Sequence, residues 1–350
     1  MVAPGAYKGY IRYKKLFILL IGVATVLAAL LAISAGSAGL SIQEVILTLL
    51  GHGSKQTGVV VFNIRLPRVA TAIVAGVGLA TVGCAMQSIL KNPLASASTL
   101  GIAQGAAFGA SFAIIVLGAG IQNQTLDGIT ISSPYLVSVC AFISSMLSTL
   151  IVLGLSHYKK ATPEAMILSG VALSTMFAGA TTLLQYFAVD VKVAAVVFWT
   201  FGNLGRTGWT EVIIMSVVVG IALLYFTFNR WNFNALQSGE ETAKGLGVNV
   251  NRMRLVGMFV CSLTAATIVS FIGIINFIGL IAPHLVRQFI GSDYRYLLPA
   301  SALGGALLLL LSDTAARLVV APVILPIGAI TSFLGAPLFL YLVFKRVDKV

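Results

Sequence analysis

Charge is what this sequence most lacks. Only 9% of its 350 residues are Asp, Glu, Lys or Arg, whereas 58% are hydrophobic, and the mean hydropathy is +1.00. A soluble domain carries about 25% charged residues, so water is excluded as the solvent for most of this chain. Reactive groups are scarce too. Cys84, Cys140 and Cys261 fall in separate apolar stretches with no CxxC pairing, which excludes a redox motif and leaves them as small packing residues. His52, His157 and His284 are scattered without ligand spacing, so neither a metal site nor a membrane-embedded enzyme is expected. No Gly-x-x-x-x-Gly-Lys-Ser/Thr loop occurs, so the chain has no ATP cradle of its own.

Uncharged length is what the sequence has. About 20 apolar residues at about 1.5 Å rise cross the hydrocarbon layer. Ten stretches qualify: Leu16 to Ala38, Val69 to Leu90, Leu94 to Gly118, Pro134 to Ser156, Ala165 to Val189, Val212 to Phe228, Leu255 to Ile275, Phe277 to Val286, Leu297 to Leu311 and Ile327 to Phe344. The eighth is short and follows the seventh after Asn276 alone, so one long kinked helix is the alternative. Cations are retained on the cytoplasmic side of a membrane, and that rule favours two separate spans. With ten spans and both termini inside, sixteen Lys and Arg lie inside and only Lys55, Arg65, Arg68, Lys192, Arg206 and Arg317 lie outside. Five acids fall on each side, leaving +11 inside and +1 outside of the formal +12. The basic balance is thus a topology signal, and nucleic-acid binding is not expected. The expected fold is all-α, a polytopic membrane protein of ten transmembrane helices. The N-terminal apolar run is longer than a signal-peptide core and is expected to be retained.

No linker interrupts the pattern, so residues 1–350 read as a single transmembrane domain. Outside, Ser41-Ile-Gln-Glu44 has capping-box spacing and predicts a short helix near 41–50. Inside, the segment 229–254 is the most polar of the chain. Within it Ser238 to Gly247 predicts a short helix with acids in its first turn and a glycine stop, a compact docking surface. Small residues recur in the spans, as in Ala75-Gly-Val-Gly78, Gly101 to Gly109 and Gly304-Gly-Ala306, and such faces let helices approach closely in lipid. Asp313 and Arg317 stand four apart on one helix face, where pairing lowers the cost of both near lipid. Arg65-Leu-Pro-Arg68 sets two cations against the charge bias. They either snorkel to headgroups or receive the acids of an external partner.

Together, Arg65-Leu-Pro-Arg68, Gln87 before Asn92-Pro-Leu-Ala95, Leu100-Gly101, the 239–248 segment, Phe277 to Arg287, Ala315-Ala-Arg317 and Gly335-Ala-Pro-Leu-Phe339 resemble the FecCD family. These are permeases of type II ATP-binding-cassette importers for iron siderophores, haem and cobalamin. The resemblance implies a homodimer of two permeases around one path in the cell membrane. It further implies two cytoplasmic ATPases, which hold ATP and Mg, and one external binding protein. It assigns docking of that protein to Arg65, Arg68 and Arg317. Contact with the ATPase falls to Glu240, Glu241, Ala243, Leu246 and Gly247, and a cytoplasmic gate to Thr162. Gln104 and Ser169 are expected along the path. Relatives often carry glutamate at the position of Ile324, so one outer charge contact is missing here. A gradient-driven secondary transporter is the competing reading, and Asp313 is the one nearby carboxylate that such a mechanism has to use.

Overall fold

The computed structural model describes residues 4–36, 40–119, 133–159 and 162–347. Asp127, Lys160, Asp348 and Lys349, assigned to sides of the membrane from the sequence, lie outside these. Every regular element among the described residues is helical. In chain order they are α1 Pro4–Ser34, α2 Ile42–Leu49, α3 Lys55–Val59, α4 Leu66–Ile89, α5 Ile102–Ile115, α6 Pro134–Lys159, α7 Pro163–Tyr186, α8 Asp190–Thr200, α9 Trp209–Phe228, α10 Arg230–Gln237, α11 Glu240–Gly245, α12 Val250–Ile272, α13 Ile278–Ile290, α14 Tyr294–Leu318 and α15 Ile327–Val347. Seven helices are long and apolar enough to cross a membrane. α5, α13 and the Ile327–Tyr341 part of α15 are shorter apolar helices. Each of the ten apolar stretches overlaps one of these ten helices, whose ends differ from it. α3, α8 and α10 had no counterpart in the sequence reading.

The helix α4 is the axis of the bundle. It packs against α14, α12, α13 and α9, and 78% of the most apolar window in its span is buried, against 11% for α7. Lipid offers no hydrophobic drive to bring helices together, so close van der Waals fit must do it. The small residues supply that fit: a Cβ on Gly76 would lie 2.5 Å from the Gly305 carbonyl oxygen, and Gly83 faces Gly279 as closely. A methyl group at either place would push α14 or α13 off α4.

The chain breaks between α12 and α13. Gly273 ends α12 at φ +80°, and Phe277, in the left-handed region at φ +68°, precedes α13. Thirteen residues at 1.5 Å make α13 only about 20 Å long, shorter than the hydrocarbon layer of about 30 Å. The single kinked helix is therefore not formed. α5, at fourteen residues, is similarly short. It is preceded by a turn at Lys91 to Ala95 and one 3-10 turn over Ala97–Leu100. Asn92 accepts from the Leu94 N–H at 2.8 Å in a local turn rather than capping a helix.

Candidate functional site

Two charged clusters stand at opposite ends of α4 and α14, with a cavity between. At the first end a π turn over Val60–Arg65 leads into α4, with Pro67 in the first helical turn. Proline is tolerated there because the first N–H groups of a helix lack partners anyway. The π turn points Arg65 inward, where Nη1 donates to the carbonyls of Ile33 at 2.6 Å and Ser34 at 2.8 Å, closing the end of α1. Arg68 grips Asp313 with two nitrogens, Nε at 3.0 Å and Nη2 at 2.8 Å from Oδ1. Arg317 donates from Nε to the other Asp313 oxygen at 3.0 Å, and from Nη1 and Nη2 to the carbonyls of Ala35 and Ala32. Asp313 is 1% exposed. The pairing expected within α14 is therefore present. What the sequence reading missed is that Arg68, 245 residues away, shares the same carboxylate. Three guanidiniums and one carboxylate make up the cluster, Arg68 and Arg317 on Asp313 and Arg65 on the α1 carbonyls, so its formal charge is +2. The arginines are not loose surface hooks: each is tied to backbone or carboxylate oxygen. Ile324, in the nearby α14–α15 connection, is half exposed and brings no charge.

In the middle, a cavity of about 240 Å³ opens between the approaches to α5 and α13. Ser96, Ser98 and Ala103 line one side, and Ile274, Asn276 and Phe277 the other. Two helix N-termini thus face a mostly apolar space with a few hydroxyl and amide groups. Nothing in that lining can ligate a metal strongly. Gln104 is not part of it: its side chain is exposed on the outside of α5, as Ser169 is partly exposed on α7. Exposed polar and small residues on α7, namely Thr175, Gly179 and Thr182, follow helical spacing on one face.

At the far end, Asn229 Nδ2 donates to Tyr225 and α10 folds back on the bundle. Phe233 of α10 stacks on Tyr294 with centroids 4.6 Å apart, and Gln237 donates to Ser88. Gly239, at φ +124°, turns the chain into α11, whose first turn carries Glu240 and Glu241, and Gly247 at φ +81° ends it. Asn249 then caps α12 by accepting from the Arg252 N–H. The five residues assigned to ATPase contact separate here. Glu241, Leu246 and Gly247 are exposed, Leu246 by 69%. Ala243 is fully buried beneath α11, so its methyl group holds the short helix down and does not reach a partner. Glu240 is turned inward onto Arg254, with Lys91 Nζ 3.7 Å away. This link joins α11 to α12 and to the turn after α4. Lys244 pairs with Glu241 in solvent; that partner raises the lysine pKa and lowers the glutamate's. Thr162 caps α7, its hydroxyl accepting from the Ala165 N–H at 3.4 Å. Gln87, noted in the sequence only as part of the resemblance, donates its amide to the Leu280 carbonyl and accepts from Arg287, tying α4 to α13.

Asp293, at the turn into α14, is opposed by burial, but hydrogen bonds from Arg295 and Asn234 pull its pKa down to about 2. His284 lies in α13 with its ring 6.1 Å from that of Phe339. Among the described residues no group of three His, Cys, Asp or Glu gathers to hold a metal.

The chain is similar over nearly its whole length to known proteins. The model of the FecCD transport family matches residues 24–345. A Methanocaldococcus jannaschii protein named as an ABC transporter permease is 49% identical over the whole of both chains. The hemin transport system permease of Yersinia pestis is 35% identical over 95% of this chain and 97% of its own. The Fe(3+)-citrate import system permease YfmE of Bacillus subtilis is 34% identical over 93% and 94%. Among solved structures, a metal-chelate type ABC transporter in an inward-facing conformation aligns with a TM-score of 0.82 and 30% identity, covering 94% of this chain and 98% of that one. A family match over nearly the full length, with the same helical framework, places this chain in the FecCD transport family.

Proposed function

We propose that this chain is the permease of an ATP-binding-cassette importer, passing a metal chelate across the cell membrane by alternating access, with an iron siderophore as the first-choice cargo and haem or cobalamin next. The observation that carries this reading is the polarity of the bundle: an arginine cluster of formal charge +2 at one end of α4 and α14, and a projecting short helix at the other. The first suits the acidic lobes of a binding protein, received by Arg65, Arg68 and Arg317. The second suits a groove on an ATPase, entered by Glu241, Leu246 and Gly247, with Glu240 and Ala243 as the internal fasteners of that helix. Thr162, at the start of α7, is assigned to the gate at the ATPase end.

The protein is read as one domain of ten crossings with both termini in the cytoplasm, working as a homodimer. The exposed Thr175, Gly179 and Thr182 stripe of α7 supports a second copy: it is a face of small residues, its two hydroxyls bonded back to the Val171 and Ala178 carbonyls, and suits a path lining between two chains. Gln104 and Ser169 belong to the same lining. Weak, apolar walls fit a bulky chelate that must enter and leave, and ATP with Mg resides on the partner subunits.

Ion-gradient drive is disfavoured by Asp313, whose carboxylate is locked between two guanidiniums. The deciding experiment reconstitutes the chain with its cognate ATPase and binding protein and measures uptake of labelled siderophores, haem and cobalamin. ATP-dependent uptake of at least one, lost with a hydrolysis-deficient ATPase, is expected. Uptake that follows a proton or sodium gradient without ATP overturns the reading.

A further inference from the structure

The helix α1 carries a cation on its packed face. Lys14, Ile18, Ile21, Thr25, Ala28 and Ala32 follow helical spacing, and α1 lies against α14, with the Thr25 hydroxyl near the Leu303 carbonyl. Lys14 stands in that stripe with only 4% of its surface exposed. Its ammonium lies over the ring of Tyr10 at 4.3 Å and that of Tyr296 at 5.2 Å, and it meets no oxygen acceptor among the described residues. The other buried Lys and Arg side chains there, Arg65 and Arg254, are both bonded to oxygen. Two ring faces attract a cation, but they do not replace oxygen acceptors for its three N–H donors.

The chain itself offers no counter-charge. Asp293, just before α14, is taken up by Arg295 and Asn234, and no acidic residue occurs in the sequence before Glu44. Burying an unpaired charge is costly, so an anion from outside the chain relieves a deficit that the fold leaves open.

Depth selects which anion. Ser34, where Arg65 closes α1, is twenty residues from Lys14, about 30 Å along the helix and the thickness of the hydrocarbon layer. Lys14 therefore lies at the opposite boundary, level with the headgroup phosphates. Tyr10 and Tyr13 are half exposed at that level, as interfacial aromatics are. Because Tyr10 is half exposed, the ammonium that it covers lies one side chain below the surface. Beneath it runs an apolar flank: Phe17 stacks on Phe289 of α13 at 5.3 Å, and Leu20 and Phe289 are exposed. A free phosphate ion has no use for that flank, whereas an acyl chain does. Lys8, Arg12 and Lys15 are exposed nearby, and such a basic cluster favours a headgroup of net negative charge over a zwitterionic one.

We propose that the groove between α1 at Lys14 and the start of α14 binds the phosphate headgroup of an acidic membrane phospholipid, with Lys14 as its cation, Lys15 at its rim and an acyl chain against Phe17, Leu20 and Phe289. The site uses none of the residues assigned to the binding protein, the ATPase or the cargo.

The test uses the full-length protein in vesicles of phosphatidylcholine with phosphatidylglycerol, followed by native mass spectrometry of the lipids retained per chain. Retained phosphatidylglycerol over phosphatidylcholine is expected to exceed the bulk ratio about tenfold, to fall to the bulk ratio in Lys14→Met, and to hold in Arg12→Gln, which alters the far side of α1. Phosphatidylglycerol should raise the Tm of the native chain. Lys14→Met, relieved of an unpaired charge, should melt no lower than the native chain in phosphatidylcholine alone and gain nothing from phosphatidylglycerol. Lys14→Gln repeats both readouts should Lys14→Met not fold. Four outcomes overturn the proposal: no enrichment of phosphatidylglycerol on the native chain, an unchanged ratio in the Lys14 variants, an equal loss in Arg12→Gln, which signals diffuse surface attraction, or the same Tm gain from inorganic phosphate alone.

Discussion

The two ends of α4 are built on opposite plans. At the Arg65 end, charge is buried and saturated: Asp313 is 1% exposed and shared by two guanidiniums, while the carbonyls that end α1 are taken up by a third and by Arg317. At the α11 end, the residues proposed to meet the ATPase are exposed and carry little of the fold, whereas those next to them, Ala243 and Glu240, are committed inward. Under the proposed function, the difference means that the rim assigned to the binding protein is preformed by charges tied into the protein's own network. A projecting helix instead separates its fastening residues from its contact residues within a few positions of sequence.

The sharpest way to break this contrast is Asp313→Ala. It leaves Arg68 and Arg317 facing each other without a counter-ion, and removing one partner of a buried pair costs about 3–5 kcal/mol. A large drop in the Tm of the purified protein, or no folded protein at all, is expected; an unchanged Tm would show that the arginines are solvated after all. Next in size is the double reversal Arg65→Glu with Arg68→Glu. It should abolish capture of the binding protein in a pull-down while the ATPase remains attached, and it should also lower the Tm because Arg68 is tied to Asp313. Arg68→Lys separates these two effects: it keeps the charge for capture but loses the two-pronged grip, at a cost of about 1–2 kcal/mol.

At the other end, Leu246→Glu is expected to weaken ATPase attachment with less than about 0.5 kcal/mol change in stability, as for other exposed positions. Removing the surface pair by Glu241→Gln should leave the Tm unmoved. The smallest effect concerns pH. Because the folded Asp293 titrates near 2 and an unfolded aspartate near about 3.9, its contribution is fully present above about pH 4 and disappears as pH falls towards 2. The protection of α10 amides, taken relative to the intrinsic exchange rate at each pH, should fall over that window and hold steady between pH 5 and 8, because Asn234 ties α10 to Asp293.

Much of this was legible in the sequence because it is local. Hydropathy located all ten apolar helices. Capping chemistry marked α2, where Ser41 and Glu44 exchange hydrogen bonds, and the glycines marked α11. The i,i+4 spacing predicted the Asp313–Arg317 pair. The missed elements are those whose local pattern is ambiguous: α8 has eleven residues, too few to span, and reads as a continuation of its loop until Trp199 is seen packed in the core with Ala110 and Val196. Ala243 was chosen as a contact because small residues suit a groove, and nothing within six residues of chain reveals which face of so short a helix is covered.

By itself the sequence determined that lipid is the solvent and where the ten apolar helices lie, since burial of backbone polar groups in hydrocarbon leaves helix as the solution available to an apolar run of this length. Tertiary structure alone decided which charges meet. Arg68 and Asp313, and Gln87 and Arg287, come together because α4 crosses α14 and α13 at small residues. The register of those crossings is set by side-chain packing across the bundle, which local periodicity does not encode.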